Sequence, residues 1–151
     1  LHRETGNRRS EASTLLHLGS LFTGTGQLER ARACCESALS MHRQNGERRG
    51  EAAALSTLGF VLRGSGLLVQ SQEAYLQAIA IDRQLGFRNS EANTLCSLAL
   101  TRLESGEVDR AAETWRAGIS ILRDLKDQRS VRLEAEEMRR ACARAGVPPF
   151  E

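Results

Sequence analysis

The sequence predicts an all-α fold, a row of antiparallel helical hairpins, and three observations support this prediction. A motif recurs every 40 residues, apolar residues recur at three- and four-residue steps within each copy, and both prolines, Pro148 and Pro149, stand near the end of the chain. The first observation indicates a repeat protein and the second indicates helices. The third leaves those helices without a proline break.

The 40-residue repeat is visible as a shared opening segment. The segment GNRRSEASTL at 6–15 returns as GERRGEAAAL at 46–55 and as GFRNSEANTL at 86–95, and a weaker copy opens at 126. These copies predict one domain over 1–151, with repeats at 7–46, 47–86 and 87–126, a capping helix at 127–146 and a tail at 147–151. Residues 1–6 align with the end of a trailing helix and are expected to be the end of a truncated repeat.

Each copy divides into a leading and a trailing helical pattern. In the first copy the leading pattern includes Leu15, Leu18 and Phe22, which share one helical face. A glycine-containing turn at 24–26 interrupts this pattern, and the trailing pattern begins at Leu28. The repeat unit is therefore predicted to be a helical hairpin.

The ends of the helices are predicted from capping residues. Asn7 and Asp127 stand where an N-cap side chain would accept hydrogen bonds from the first free amides of a leading helix. Gly6, Gly46 and Gly86 stand where the preceding helix is expected to end, because glycine adopts the left-handed conformation of a helix C-terminus.

Small residues are predicted where the two helices of a hairpin touch, because they permit a short distance between helix axes. Leading helices carry Gly19, Gly59 and Ala99 at this place. Larger side chains of the trailing helices are expected to fill the remaining wedge: Cys35, Tyr75 and Trp115.

Charge and hydropathy exclude several functional classes. The chain has 21 Lys and Arg against 19 Asp and Glu, a net charge of +2, which lacks the electrostatic excess of a nucleic-acid-binding protein. The apolar runs are far shorter than the roughly 20 residues that cross a bilayer. We therefore expect no nucleic-acid partner, no membrane insertion and a cytoplasmic location.

The sequence contains no constellation typical of catalysis. Cys34, Cys35, Cys96 and Cys142 lack C-x-x-C spacing and are interpreted as reduced thiols packed as small apolar residues. None of the three histidines has a metal-ligand spacing, and no phosphate-binding glycine loop or nucleophile motif is present. We expect no enzymatic activity, no cofactor and no metal.

The run Leu15-x-x-Leu18-Gly19-x-x-Phe22, followed by a turn and Ala31-x-x-x-Cys35, resembles the signature of the tetratricopeptide repeat in its 40-residue variant. This resemblance implies a right-handed superhelical solenoid whose leading helices line a concave groove that binds a protein or peptide. It also implies a place within a larger scaffold or regulatory protein. Arg102 departs from the signature, and we expect its stem to be buried and its guanidinium to lie at the edge.

The same resemblance places the partner-binding residues on the groove side of the leading helices. These candidates are Leu16, His17, Ser20, Thr57, Phe60, Arg63, Asn93, Cys96, Ser97, Leu100 and Leu103. Only Asn93 would resemble a chaperone-tail carboxylate clamp, so that ligand is rejected. Phe60, Leu100 and Leu103 look too exposed for a purely structural role, and the alternative is that a neighbouring repeat or a missing part of the chain covers them.

Two alternatives remain open at the level of sequence. The truncated N-terminal repeat would expose apolar surface, so the chain could instead be a structural module that stacks end to end as a homo-oligomer. The second concerns repeated arginines, which either form a basic ladder for an acidic partner or pair with a glutamate three residues along the same helix. The pairs in question are Arg8 and Glu11, Arg48 and Glu51, and Arg88 and Glu91.

Overall fold

The computed structural model describes the backbone of residues 2–151 and the side chains of residue 4 and of residues 6–151. This part of the chain contains seven α-helices and no strand, which confirms the predicted all-α fold class. The helices are α1 His2–Gly24, α2 Leu28–Gln44, α3 Arg48–Gly64, α4 Leu68–Leu85, α5 Arg88–Glu104, α6 Val108–Asp124 and α7 Gln128–Ala145. None of these helices is long and apolar enough to cross a membrane.

The turns between helices share one geometry. A residue in the left-handed conformation follows the helix, and the next backbone N–H bonds back to the last turn, as from Glu47 N to His42 O at 2.9 Å. Glycine occupies this position at 26, 46, 66, 86 and 106, so the expected helix ends at Gly46 and Gly86 are confirmed. Lys126 is the exception among the residues the structure describes, with a φ of 58°.

The N-terminal helix differs from the prediction. Gly6 and Asn7 lie inside α1, so the helix end expected at Gly6 and the N-cap expected at Asn7 are wrong. Helix α1 runs on through Gly6, since extending an existing helix by one residue requires no new nucleus and outweighs the turn preference of a single glycine. Leu1 lies outside the described residues.

The predicted cap of the last helix is confirmed. The carboxylate of Asp127 accepts a hydrogen bond from Ser130 N at 3.0 Å, and this bond lowers the pKa of Asp127. Because the carboxylate satisfies an otherwise free amide, the start of α7 is fixed. The division of the chain into repeats at 7–46, 47–86 and 87–126 stays a prediction.

The helices form two compact units, one ending at Ile81 and the other beginning at Asp82. In the first unit α1 packs on α2 and α3, and the hairpins are as close as their small residues allow. A Cβ added at Gly19 would lie 2.8 Å from Cys35 Sγ, and one at Gly59 would lie 2.8 Å from the Tyr75 ring. The contacts predicted between small and large residues are therefore present in these two hairpins.

In the second unit α5 packs on α6, and α7 packs against both. A Cβ added at Gly118 of α6 would lie 3.0 Å from the carbonyl oxygen of Ala92, so the two backbones nearly touch. The tail folds onto α6, where the rings of Phe150 and Trp115 lie 6.3 Å apart. Arg102 is half-buried, but its guanidinium is not confined to the edge as expected, since Nε is buried and Nη1 donates to the buried Thr114 Oγ1.

Ion pairs join the end of a trailing helix to the first turn of the next leading helix. Arg43 Nε donates to Glu51 Oε1 at 3.1 Å, and Arg83 Nε donates to Glu91 Oε1 at 2.6 Å. The expected pair of Arg48 with Glu51 also forms, at 2.9 Å. Each glutamate is thus held by the arginine eight residues before it.

Candidate functional site

The candidate face of the first unit lies on α1 and α3, the leading helices, which pack side by side. Its predicted members on α1 are His17 and Ser20, both exposed, and the half-buried Leu16, which packs against the core. On α3, Thr57 and Arg63 are half-buried. Phe60 is 50% exposed, so an aromatic ring stands on this face.

The small polar groups of this face are already hydrogen-bonded within their own helices. Ser20 Oγ donates to Leu16 O at 3.2 Å, and Thr57 Oγ1 donates to Ala53 O at 2.9 Å. His17 Nδ1 lies 2.9 Å from Ser13 O. Because the hydroxyl protons are engaged by backbone carbonyls, the least satisfied feature of the face is the apolar surface of Phe60.

The candidate face of the second unit is largely closed. Asn93 is exposed, and its Nδ2 donates to Asn89 Oδ1 at 3.2 Å, while Ser97 is half-buried. Cys96 is 0% exposed and both Leu100 and Leu103 are 4% exposed. The expectation that Leu100 and Leu103 are exposed is therefore wrong, and Cys96 is equally inaccessible to a partner.

Helix α7, together with α6, closes this face by packing on α5. The Cys96 thiol donates a hydrogen bond to the Glu134 carboxylate of α7, and Leu103 lines a cleft of about 240 Å³ together with Ala141 and Ala145. Burial raises the pKa of Glu134, and the nearby Glu137 carboxylate raises it further. The apolar strip of α5 is therefore covered within the second unit, by the predicted capping helix α7 together with α6, and not by a full neighbouring repeat.

The chemistry of the described residues offers no reactive cluster. Among the side chains that the structure describes, residue 4 and residues 6–151, no group of three or more His, Cys, Asp or Glu is placed to hold a metal ion. All four cysteines are free, and burial raises the pKa of the Cys35 thiol to about 11. A thiol held in its neutral form is a weak nucleophile, and the interpretation of Cys35 and Cys96 as buried apolar residues is confirmed.

An exposed apolar strip on α1 was not among the predicted site residues. Leu18 is 38% exposed and Leu21 is 66% exposed, whereas Leu58 and Val61, 40 residues later, are buried. Aligning the repeats would have identified the strip, because apolar residues recur at both positions. A second unpredicted feature is a cleft at the junction of α6 and α7, lined by Arg123 and Val131 among others.

Comparison with known proteins agrees with this architecture. The family model described as tetratricopeptide repeat matches residues 10–84. A search of curated proteins finds no match. The matched segment ends inside α4, and the same 40-residue sequence pattern continues through α5 and α6. With its paired helices and its close glycine contacts, the chain belongs to the tetratricopeptide repeat family.

Proposed function

We propose that this chain is a protein-interaction module that holds a peptide or a helix of a partner protein against α1 and α3. Tetratricopeptide repeats are generally protein–protein interaction modules. The observation that carries the proposal is the half-exposed ring of Phe60 on a face whose small polar groups are satisfied.

The ring supplies an anchor of the size that such an interaction requires. Fully burying a phenylalanine side chain contributes about 1.5–3 kcal/mol, so covering the exposed half of Phe60 contributes on the order of 1 kcal/mol. Partner contacts with His17 and Ser20 would flank this anchor and set the register of the bound segment. We expect an affinity in the micromolar range, about 8 kcal/mol in total.

The test uses peptides selected from a random displayed library for binding to the parent chain. Their dissociation constants are measured by fluorescence anisotropy with the parent and with Phe60→Ala. We expect Phe60→Ala to weaken binding about tenfold, because an anchor side chain at the centre of an interface contributes about 1 kcal/mol or more. The matched control is Leu76→Ala, which removes a side chain of similar exposure, 46%, from the trailing helix α4.

The control decides whether the effect is local. If the selected peptides bind Phe60→Ala and the parent chain equally well, the face on α1 and α3 is not their binding site, and the proposal is wrong. Equal losses in Phe60→Ala and Leu76→Ala would indicate unspecific attraction to exposed apolar surface.

A second candidate function is end-to-end self-assembly, and the exposed Leu18 and Leu21 favour it. Charging the strip with Leu21→Glu would dissolve such an assembly, because a buried unpaired carboxylate is strongly unfavourable. Sedimentation velocity over a range of concentrations measures this. A parent chain that grows with concentration, together with a Leu21→Glu variant that does not, would establish self-assembly. A parent that stays monomeric would eliminate it.

A further inference from the structure

The third junction between hairpins departs from the first two. Arg43 and Arg83 are each paired with a glutamate eight residues later, Glu51 and Glu91, whose side chains are only 12% and 8% exposed. Arg123 occupies the corresponding place at the end of α6, but the residue eight positions later is Val131. The arginine is retained while its carboxylate is lost.

Two further substitutions add positive charge at the same place. Lys126 stands where the earlier turns have Gly46 and Gly86, and Arg132 stands where the earlier leading helices have buried alanines. Among the ion pairs of the described residues none involves Arg123, Lys126 or Arg132. Three exposed cations therefore surround the position that a carboxylate fills in the other junctions.

These cations border a cleft of about 400 Å³ with an apolar floor. Val131 and Ala135, both half-buried, lie in it, together with Arg123, Lys126, Gln128 and Arg132. In the hairpin of α5 and α6, Gly118 of the trailing helix packs against Ala92 and Leu95, which correspond to Arg132 and Ala135. The cleft thus occupies a face that accepts a helix elsewhere in the same unit.

We propose that this cleft binds an acidic amphipathic helix of a partner protein. A glutamate or aspartate of the partner takes the place of Glu51 and Glu91 and pairs with Arg123. Lys126 and Arg132 meet further carboxylates, and an apolar partner side chain covers Val131 and Ala135. This site is separate from the face around Phe60 and does not depend on it.

The mixture of charge and apolar surface selects this occupant. Nucleic acid would meet the cations but would leave Val131 and Ala135 uncovered, and the net charge of +2 supplies no wider basic surface for a phosphate backbone. An apolar helix would cover the floor but would leave desolvated guanidinium groups without an anion. A helix with glutamates beside leucines satisfies both requirements.

The test titrates the full chain with a defined probe, a capped helical peptide of about 16 residues that carries glutamate and leucine on adjacent faces. Its matched control has glutamine in place of every glutamate. Binding is followed by the backbone NMR signals of Arg123, Lys126, Val131 and Ala135. We expect these signals to shift on titration with the glutamate peptide. The dissociation constant of the glutamine peptide should be at least about tenfold higher.

The most informative variant is Val131→Glu, which restores the carboxylate of the other junctions. This variant is expected to fold normally, because glutamate occupies the same place at 51 and 91. Because the new carboxylate pairs internally with Arg123, the affinity for the glutamate peptide should fall about tenfold. Ala143→Glu adds the same charge at an exposed position farther along α7. It should lower the affinity for the glutamate peptide less than about twofold. Arg123→Gln should lower the affinity for the glutamate peptide as much as Val131→Glu does. Arg140→Gln should bind the glutamate peptide with the affinity of the parent chain.

Three outcomes would overturn the proposal. Equal losses in Val131→Glu and Ala143→Glu would indicate unspecific charge attraction. Equal binding of the glutamine and glutamate peptides would remove the role of the carboxylate. Shifts of the same four signals with inorganic phosphate, without shifts with the peptide, would identify a small-anion site instead.

Discussion

Phe60 and Leu100 occupy the same place in consecutive repeats, yet the first is 50% exposed and the second is 4% exposed. The difference lies in their surroundings. In the second unit α7 packs on α5 and its Glu134 reaches Cys96, one helical turn before Leu100. The comparison teaches that one register in a repeat protein can be exposed surface in one helix and core in another, depending on what covers it.

The largest expected effect tests this contrast directly. Leu100→Ala should lower the free energy of unfolding by about 2–4 kcal/mol, because it removes a buried side chain and leaves a cavity. Phe60→Ala should lower it by only about 1 kcal/mol, because half of the ring is already exposed. Urea unfolding of both variants, followed by circular dichroism, measures the two values.

The contrast would fail if the two variants were equally stable. A Phe60→Ala variant as strongly destabilised as Leu100→Ala would mean that the ring belongs to the core, and an unaffected Leu100→Ala would mean that Leu100 is not buried as described.

A smaller effect is expected at alkaline pH from the buried thiols of the two units. Burial raises the pKa of Cys35 from 9.0 to about 11, and it raises the pKa of Cys96 further. Because the folded state favours the neutral thiol, its stabilising contribution is complete below pH 9 and is lost as the pH rises towards 11. For Cys35 this loss is about 2 kcal/mol at pH 11.

Thermal unfolding at pH 8 and pH 11 checks this expectation. The matched control is the double variant Cys35→Ala and Cys96→Ala, whose stability should depend less on pH over this interval. A parent and a double variant with the same pH dependence would show that neither thiol is desolvated as described.

The smallest expected effect concerns the pair that links the start of α1 to the residue before α3. Arg9 Nε donates to Glu47 Oε1 at 2.8 Å, and the Arg9 side chain is 69% exposed. Burial of Glu47 opposes ionisation, but the hydrogen bonds from Arg9 and His42 prevail and lower its pKa below 4.5. Arg9→Gln should therefore destabilise the protein by about 0.5 kcal/mol at neutral pH.

The sign of the pH dependence follows from the lowered pKa. The contribution of Glu47 is present above pH 4.5 and is lost as the pH falls through the folded-state pKa, so parent and Arg9→Gln should converge in acid. Arg140→Gln serves as the control, since its exposed side chain has no ion pair among the described residues. A difference that persists in acid would contradict the assigned pair.

Much of the fold could be predicted because its determinants are local. Gly46, Gly86 and Asp127 mark helix ends through backbone conformation and capping, which depend on neighbouring residues alone. Gly6 carries the same signal but lies within α1, because helix continuation there outweighs the preference for a turn. A local rule therefore fails where the neighbouring element differs.

The candidate face was less predictable because accessibility is not a local property. Cys96, Leu100 and Leu103 fit the groove register as well as Phe60 does, but α5 is packed against α6 and also against α7, a helix that begins 25 residues after Leu103. The loss of a glutamate at Val131 was visible in the aligned repeats. Its meaning depended on knowing that Glu51 and Glu91 pair with the preceding helix.

Lys126 shows how conformational preference and surface charge can oppose one another in a single turn. A side chain at a φ of 58° has a conformational cost that glycine avoids, and the five earlier turns of the described chain have glycine there. Replacing Lys126 with glycine, as in the other turns, would make this hairpin more stable. The same change would remove one of the cations that line the cleft at the junction of α6 and α7.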